Sequence, residues 1–395
     1  MIGMALEGLK YSLFHSKIKD SEDCPCGSGK LFVDCCKNRP MVISSSKEPP
    51  EVQLMKRMRS SMKKCCMHPD KIKCNGRIKK AHALQNNKIV SLLAGSERHV
   101  FMLDAKRQPL LVPLETGETV PIIEVSKTSV NDATTETCFC DYHDNIAFAA
   151  IEKGAPDFDI NNEEMKFLYA YKAFIFEAYK EEMSYTIFQN CFKENPAAFQ
   201  SKEMVLMYRM LHLKHQELAP VRNHYDSQIM AGSYKGVHTC AVRIPEQIQF
   251  ADYAFIAPDF DMNGKSIHHT KKGIMHRVSV TIFPEATQSW LLVSCLDDEL
   301  SIYKNLFDQL SSASLDKLKF YLNMLLPLYS ENMVLGYKLW TGWDDEVRTA
   351  YTYYANLNGP EAKRMGIAVQ MGLKNAARMN NEKVYQNKPK INLFP

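Results

Sequence analysis

The chain has no run approaching eighteen consecutive apolar residues, so the sequence offers no simple membrane-spanning helix. Its first ten residues, Met1 to Lys10, carry an early acid at Glu7 and an apolar stretch too short for a secretory leader. A cytoplasmic protein without a membrane partner is therefore expected. No nucleophile elbow, dinucleotide fingerprint or His-Glu-x-x-His zinc motif occurs, and no internal repeat. The chain also lacks a dominant charge. Its formal net charge is +4 over 395 residues, with 45% hydrophobic and 24% charged residues, an ordinary globular composition.

Twelve cysteines in such a length are too few for a disulfide scaffold, yet nine of them precede residue 141. The remaining three, Cys191, Cys240 and Cys295, are isolated and read as buried thiols. Four lie within thirteen residues: Cys24-Pro25-Cys26-Gly27-Ser28-Gly29-Lys30-Leu31-Phe32-Val33-Asp34-Cys35-Cys36. In a reducing compartment such clustering points to a shared metal. Gly27-Ser28-Gly29 permits a tight turn around an ion, and Lys30 to Cys36 can make one or two helical turns that return Cys35 and Cys36 to Cys24 and Cys26. Four sulfur ligands suit a structural zinc. Gly-Ser-Gly-Lys is not a phosphate loop, because Cys24 and Leu31 occupy positions that need glycine and Ser/Thr.

Cys-Pro-Cys-Gly-Ser-Gly-Lys followed by a Cys-Cys pair resembles the SEC-C motif, the small zinc module at the C-terminus of the SecA translocation ATPase and at the ends of many other bacterial proteins. The likeness covers Cys24 to Lys37. It implies zinc held by Cys24, Cys26, Cys35 and Cys36, and a docking role towards protein or nucleic acid without catalysis.

A second group runs from Cys65-Cys66-Met67-His68 through Cys74-Asn75-Gly76 and Ala81-His82-Ala83-Leu84-Gln85 to Cys138-Phe139-Cys140-Asp141-Tyr142-His143-Asp144-Asn145. Asn75-Gly76 is a hairpin signal that places Cys74 on a knuckle. Cys140-x2-His143 has the spacing of a zinc half-site, and Cys66 with Cys74 or His68 can complete it. Around the group lie ten basic residues between Lys56 and Lys80 (Arg57, Arg59, Lys63, Lys64, Lys71, Lys73, Arg77 and Lys79 among them) against one acid, Asp70. That run suggests an anionic partner such as nucleic acid.

Knuckle, Ala-His turn and Cys-x2-His-Asp-Asn together resemble a divergent HNH treble-clef endonuclease. The resemblance implies zinc on Cys66, Cys74, Cys140 and His143. It makes His82 the general base and Asp144 the ligand of a catalytic Mg²⁺ or Mn²⁺ at a phosphodiester. Asn86 and Asn87 are candidates for the middle asparagine. The chain departs from the pattern at Ala81, where an acid or histidine is usual, and in its seven-residue first knuckle.

The expected fold class is α+β. Residues 1–39 form an N-terminal helix (4–19) with the first zinc module, 40–53 a linker, 54–155 a zinc-stapled segment with a small antiparallel sheet at about 98–125, and 156–395 a helical and β domain. In the last, helices are expected at Asn161–Asn190, with a core face of Phe167, Tyr171, Phe174, Ile175, Ala178 and Tyr179, and at about 200–217, where His212 and His215 are ordinary helix residues. A β segment at 236–297 contains Asp259-x-Asp261-x-Asn263-Gly264. This is a polar turn and not a calcium loop, since position 270 is Thr270. Val278, Val280 and Ile282 face Leu291, Val293 and Cys295 across a hairpin. Helices at 315–329, 343–356 and 360–380 precede a frayed tail, 386–395. The function expected from these readings is a cytosolic zinc protein acting on or at nucleic acid as an HNH-like nuclease. The alternative is a non-enzymatic adaptor whose SEC-C-like module docks to a protein or ribonucleoprotein.

Overall fold

Residues 163–194 contain neither glycine nor proline, and Phe, Tyr, Leu, Ile and Ala recur on every side of a helical period. In the computed structural model they form one helix, Glu163–Glu194, buried around much of its circumference from Met165 to Tyr179. The structure describes residues 17–39, 52–54, 56–57, 63–104, 107, 109–113, 119–152, 154–271, 273–357, 359–379, 381–387 and 389–395. The expected helix over 4–19 and the linker over 40–53 lie almost wholly outside these residues.

Strands β1 (Ile78–His82), β2 (His99–Leu103), β3 (Leu110–Pro113), β4 (Thr119–Ile122), β5 (Val125–Ser129) and β6 (Thr135–Cys140) come first, with a short helix α1 (Ser91–Ala94) between β1 and β2. Helices α2 (Asp141–Ala147), α3 (Glu163–Glu194) and α4 (Lys202–Ala231) follow. Next are β7 (Val237–Ile244), β8 (Phe250–Ile256), β9 (Thr270–Lys271), β10 (Ile274–Met275), β11 (Val278–Pro284) and β12 (Ser289–Leu296). The chain continues with α5 (Leu300–Ser312), α6 (Leu315–Tyr329), β13 (Val334–Leu335), α7 (Tyr337–Gly342), α8 (Asp345–Ala355), α9 (Gly359–Met379) and α10 (Glu382–Tyr385). The fold is α+β. No described helix is long and apolar enough to cross a membrane.

The chain divides into two compact units, each discontinuous in sequence. The larger contains Cys65–Glu177 and Asn223–Pro395. Its centre is a seven-stranded antiparallel sheet in the order β5-β2-β13-β8-β11-β12-β7. Val280 opposes Val293 and Ile282 opposes Leu291 across the β11–β12 hairpin, which Glu285 N–H closes on the Gln288 carbonyl at 2.7 Å. One sheet face packs Val278, Val280, Ile282, Leu291 and Val293 against Leu306 and Leu310 of α5 and Leu322, Leu325 and Leu326 of α6. The opposite face meets the first half of α3: Ser279 donates to the Ala170 carbonyl at 3.0 Å, and Phe174 meets Phe255 edge-on at 5.1 Å. Both faces are thus covered, which is why β11 is buried at every position.

Three expectations change here. The strands near 98–125 do not make a small sheet of their own. β2 and β5 form one edge of the seven-stranded sheet, joined to β8 through the two-residue strand β13, while β3 and β4 pair separately. Helix α4 does not stop near 217. It continues through Pro220 to Ala231, because Leu218, Val221 and Tyr225 bury on its inner side and outweigh the missing N–H. The tail is not frayed. Asn323 donates to Asn392 at 3.1 Å and accepts from the Leu393 N–H at 2.8 Å, while Phe394 packs edge-on against Phe250.

The smaller unit lies within Glu7–Lys64 and Ala178–Arg222. Its core joins Ile18, Phe32 and Leu54 to Phe188, Phe192, Phe199, Met204, Val205 and Tyr208. Arg209 binds Glu22 at 2.9 Å, and Lys214 pairs with Glu181.

Leu393 is fully buried, so Leu393→Ala is expected to lower stability by about 2–5 kcal/mol. Urea unfolding measures this; an unchanged midpoint would mean that the tail contributes little.

Candidate metal centres

The first centre is built from tight turns. Cys24 N–H donates to the Lys30 carbonyl at 2.8 Å, and Phe32 N–H to the Glu22 carbonyl at 2.8 Å, forming a narrow ladder. Gly27, at φ 73°, turns the chain between the two strands; a Cβ there would lie 2.7 Å from Gln189 Nε2. Beyond the ladder, Asp34 and Cys35 N–H groups bond back three residues to Leu31 and Phe32. These are turns and not the expected helix, yet they bring Cys35 and Cys36 back to the first pair. Phe32 anchors the loop by meeting Phe192 edge-on at 6.3 Å.

The four sulfur atoms of Cys24, Cys26, Cys35 and Cys36 all lie within 4.8 Å of one another. Cys26 and Cys35 are 3.5 Å apart, Cys35 and Cys36 3.7 Å. A tetrahedral zinc with bonds of about 2.3 Å sets sulfur atoms about 3.8 Å apart, so the donor set fits that ion. Burial pushes the Cys24 thiol up to about 11 and raises Cys36 as well. Burial also acts upward on Cys26, but hydrogen bonds from Ser28, Cys24 and Cys35 outweigh it and bring the group down to about 7. One thiolate forms readily near neutral pH, and a bound cation would favour the rest.

The second centre gathers three separate stretches. Cys65 N–H and Met67 N–H donate to the Thr137 and Cys138 carbonyls of β6, so residues 65–67 run beside that strand and turn Cys66 outward. The loop to Cys74 is held by Asp70, whose Oδ1 accepts from the Ile72 and Lys73 N–H groups. Gly76, at φ 72°, reverses the chain into β1, which pairs with β6 so that Ile78 faces Cys140. Cys140 caps α2, accepting from the His143 N–H.

Cys66, Cys74, Cys140 and His143 converge within 4.8 Å. Cys66 and Cys140 Sγ lie 3.4 and 3.3 Å from His143 Nδ1. This Cys₃His set also suits zinc. Cys74 therefore completes the group, and His68 does not. The His68 ring stacks on His143 at 3.9 Å, and its Nδ1 accepts from the Asp70 N–H. Burial, with His143 next in weight, lowers the His68 imidazole to about 4. Cys138 is fully buried, and that burial raises its thiol.

His82 ends β1 opposite Thr135. Its Nε2 is sealed from solvent without a hydrogen-bond partner, and burial lowers its proton affinity, followed by the nearby Lys172 charge. Asp144 lies in the first turn of α2. One carboxylate oxygen binds Lys79 at 3.0 Å, and the other is sealed and unpartnered. Among the described residues only the two tetrads bring together three or more metal-ligating groups, so neither His82 nor Asp144 belongs to a third cluster. Asn86 bonds Asn131 and Ser91, away from any metal group.

Among the described residues, four of the ten cations of the basic run pair with acids, one within the run and the others far from it in sequence. Arg57 pairs with Glu194 at 2.6 Å, Lys73 with Asp70 at 3.6 Å, and Lys80 with Asp132 at 2.6 Å; Lys79 contacts both Asp141 and Asp144. Arg59 lies outside the described residues. His212 accepts or donates at 2.7 Å with Tyr185 in the smaller unit's packing. The Asp259–Gly264 loop is a polar turn: Asp261 is engaged by the Asn263 and Lys265 N–H groups and by Gln309, and Asp259 by His269 and Tyr329.

Compared with protein-family profiles, curated proteins and solved structures, the chain matches none of them.

Metal analysis is expected to find two zinc ions per chain. Cys35→Ser and Cys74→Ser should each lower the content to about one, since each removes one of four ligands from a different centre. Loss of both ions in either variant would show the two centres to be interdependent.

Proposed function

We propose that the chain is a zinc-stapled docking protein in which both centres hold structural ions and neither performs catalysis. The observation that carries this reading is closure. Each tetrad supplies four protein ligands and leaves no position for water or substrate, while His82 Nε2 and Asp144 Oδ1 are sealed from solvent and Lys79 holds the other Asp144 oxygen. The first centre is a SEC-C-like module. Leu31 and Val33, its exposed apolar residues, give it surface for a protein or ribonucleoprotein partner. The second centre is treble-clef-like and ties β1, β6 and α2 together without HNH chemistry. Twelve free cysteines agree with a reducing, cytoplasmic setting.

The test is incubation of zinc-loaded protein with plasmid DNA and with RNA in Mg²⁺ or Mn²⁺, beside the His82→Ala and Asp144→Ala variants. No cleavage above background is expected for any of the three. Cleavage by the wild type that either substitution removes would restore the nuclease reading and overturn this one.

A further inference from the structure

A cleft of about 580 Å³ lies within the smaller unit, lined by Arg39, Arg57, Ile187, Asn190, Lys193 and Glu194. Of its cations only Arg57 belongs to the basic run that stood out in the sequence. Arg39 and Lys193 fall outside the basic run, and the two chain segments meet only in the fold. Arg39 follows the first metal centre directly and is tied to it, its N–H donating to the Cys36 carbonyl at 3.3 Å. Its Nη1 donates to the Lys193 carbonyl at 3.3 Å, the one side-chain hydrogen bond it makes among the described residues.

Among the described residues the charge balance of the cleft is positive. Three cations stand against Glu194 and the C-terminal end of α3, which contributes about half a negative charge. Arg57 is bound to Glu194, but the two side chains are 42% and 59% exposed, so this ion pair contributes little and can be exchanged for a stronger anion. Guanidinium groups offer forked donors matched to phosphate oxygens, and the Asn190 amide adds a neutral donor. Among the described residues the lining contains no aromatic ring on which a base could stack, and Ile187 is its one apolar residue. Such a surface reads charged oxygens and not bases, and it lacks the aromatic anchors on which protein partners usually depend.

We propose that this cleft binds the phosphodiester backbone of nucleic acid without sequence preference. The proposal gives the docking role its ligand class. It rests on that reading only in requiring the Cys₄ centre to be loaded so that Arg39 is in place.

The experiment uses the zinc-loaded full chain and a fluorescein-labelled single-stranded oligonucleotide, followed by anisotropy over a range of salt. Arg39→Glu and Lys193→Glu should each weaken binding about tenfold. Each should lower the slope of log affinity against log salt by about 0.7, the value for one phosphate contact on a single strand. Lys304→Glu, a charge reversal at an exposed lysine of the larger unit, should bind as the wild type does. Unlabelled oligonucleotide and pyrophosphate should compete, and polyglutamate should not.

Four outcomes would overturn the assignment: a zinc-loaded wild type that does not bind, cleft variants that bind like the wild type, an equal loss in Lys304→Glu, or equal competition by polyglutamate, which would make the site one for acidic protein. Zinc is measured in every sample. A zinc-loaded chain that fails to bind removes the cleft assignment and leaves the docking reading standing. Binding by a chain that takes up no zinc would instead remove the premise of that reading.

Discussion

Four sulfur atoms within 4.8 Å cannot all be anions unless a cation sits among them. That constraint governs the smaller unit. Residues 17–39 supply only Ile18 and Phe32, beside two of the cysteines, to its buried core, too little apolar surface to order a loop of this length unaided. The second tetrad does comparable work by a different route. It holds residues 66, 74 and 140–143 in one place, and thereby fixes the pairing of β1 with β6 and the start of α2. An ion in each tetrad would add to the little packing around residues 17–39 and, at the second centre, to the packing of Phe139 on Phe148 and Phe176.

What could be read without coordinates was mostly what depends on neighbours in sequence. The Cys₄ group is a single thirteen-residue stretch, so its spacing alone indicated convergence. The β11–β12 hairpin was legible for the same reason: alternation on both arms and a short polar turn. The choice of Cys74 over His68 was not legible, because both lie on one loop. The decision rests on Asp70, whose backbone and side chain orient that loop and leave His68 stacked on the ligand ring. The length of α4 was hidden by Pro220, whose local cost is offset by burial that only the folded chain supplies. The tail, polar in composition, is ordered by hydrogen bonds from Asn323, some seventy residues away.

His82 and Asp144 resemble the HNH pattern as residue types, and the fold sets the surroundings that the pattern leaves out. The spacing places both beside the zinc knuckles, as the HNH pattern asks. What the pattern cannot express is solvent. A base needs an accessible lone pair and a metal-binding carboxylate an open side; here His82 Nε2 and Asp144 Oδ1 are sealed, and Lys79 holds the other Asp144 oxygen. Two lysines of the basic run, Lys79 and Lys80, meet acids from more than fifty residues downstream, Asp132, Asp141 and Asp144, a pairing that only the fold supplies.

The two-residue strand β13 carries a kinetic implication. It is the link between β2 and β8, and its Leu335 lies opposite Phe101, more than two hundred residues earlier in the chain. Pairing over such a separation is entropically late, so β2 and β5 must wait as an isolated hairpin while β8, β11, β12 and β7 assemble among themselves. During that interval the edge of the forming sheet beside β8 is uncovered. The β1–β6 ladder does not share this delay, because it closes a much shorter loop, from Ile78 to Cys140. Completion of the sheet therefore waits on the arrival of Val334 and Leu335.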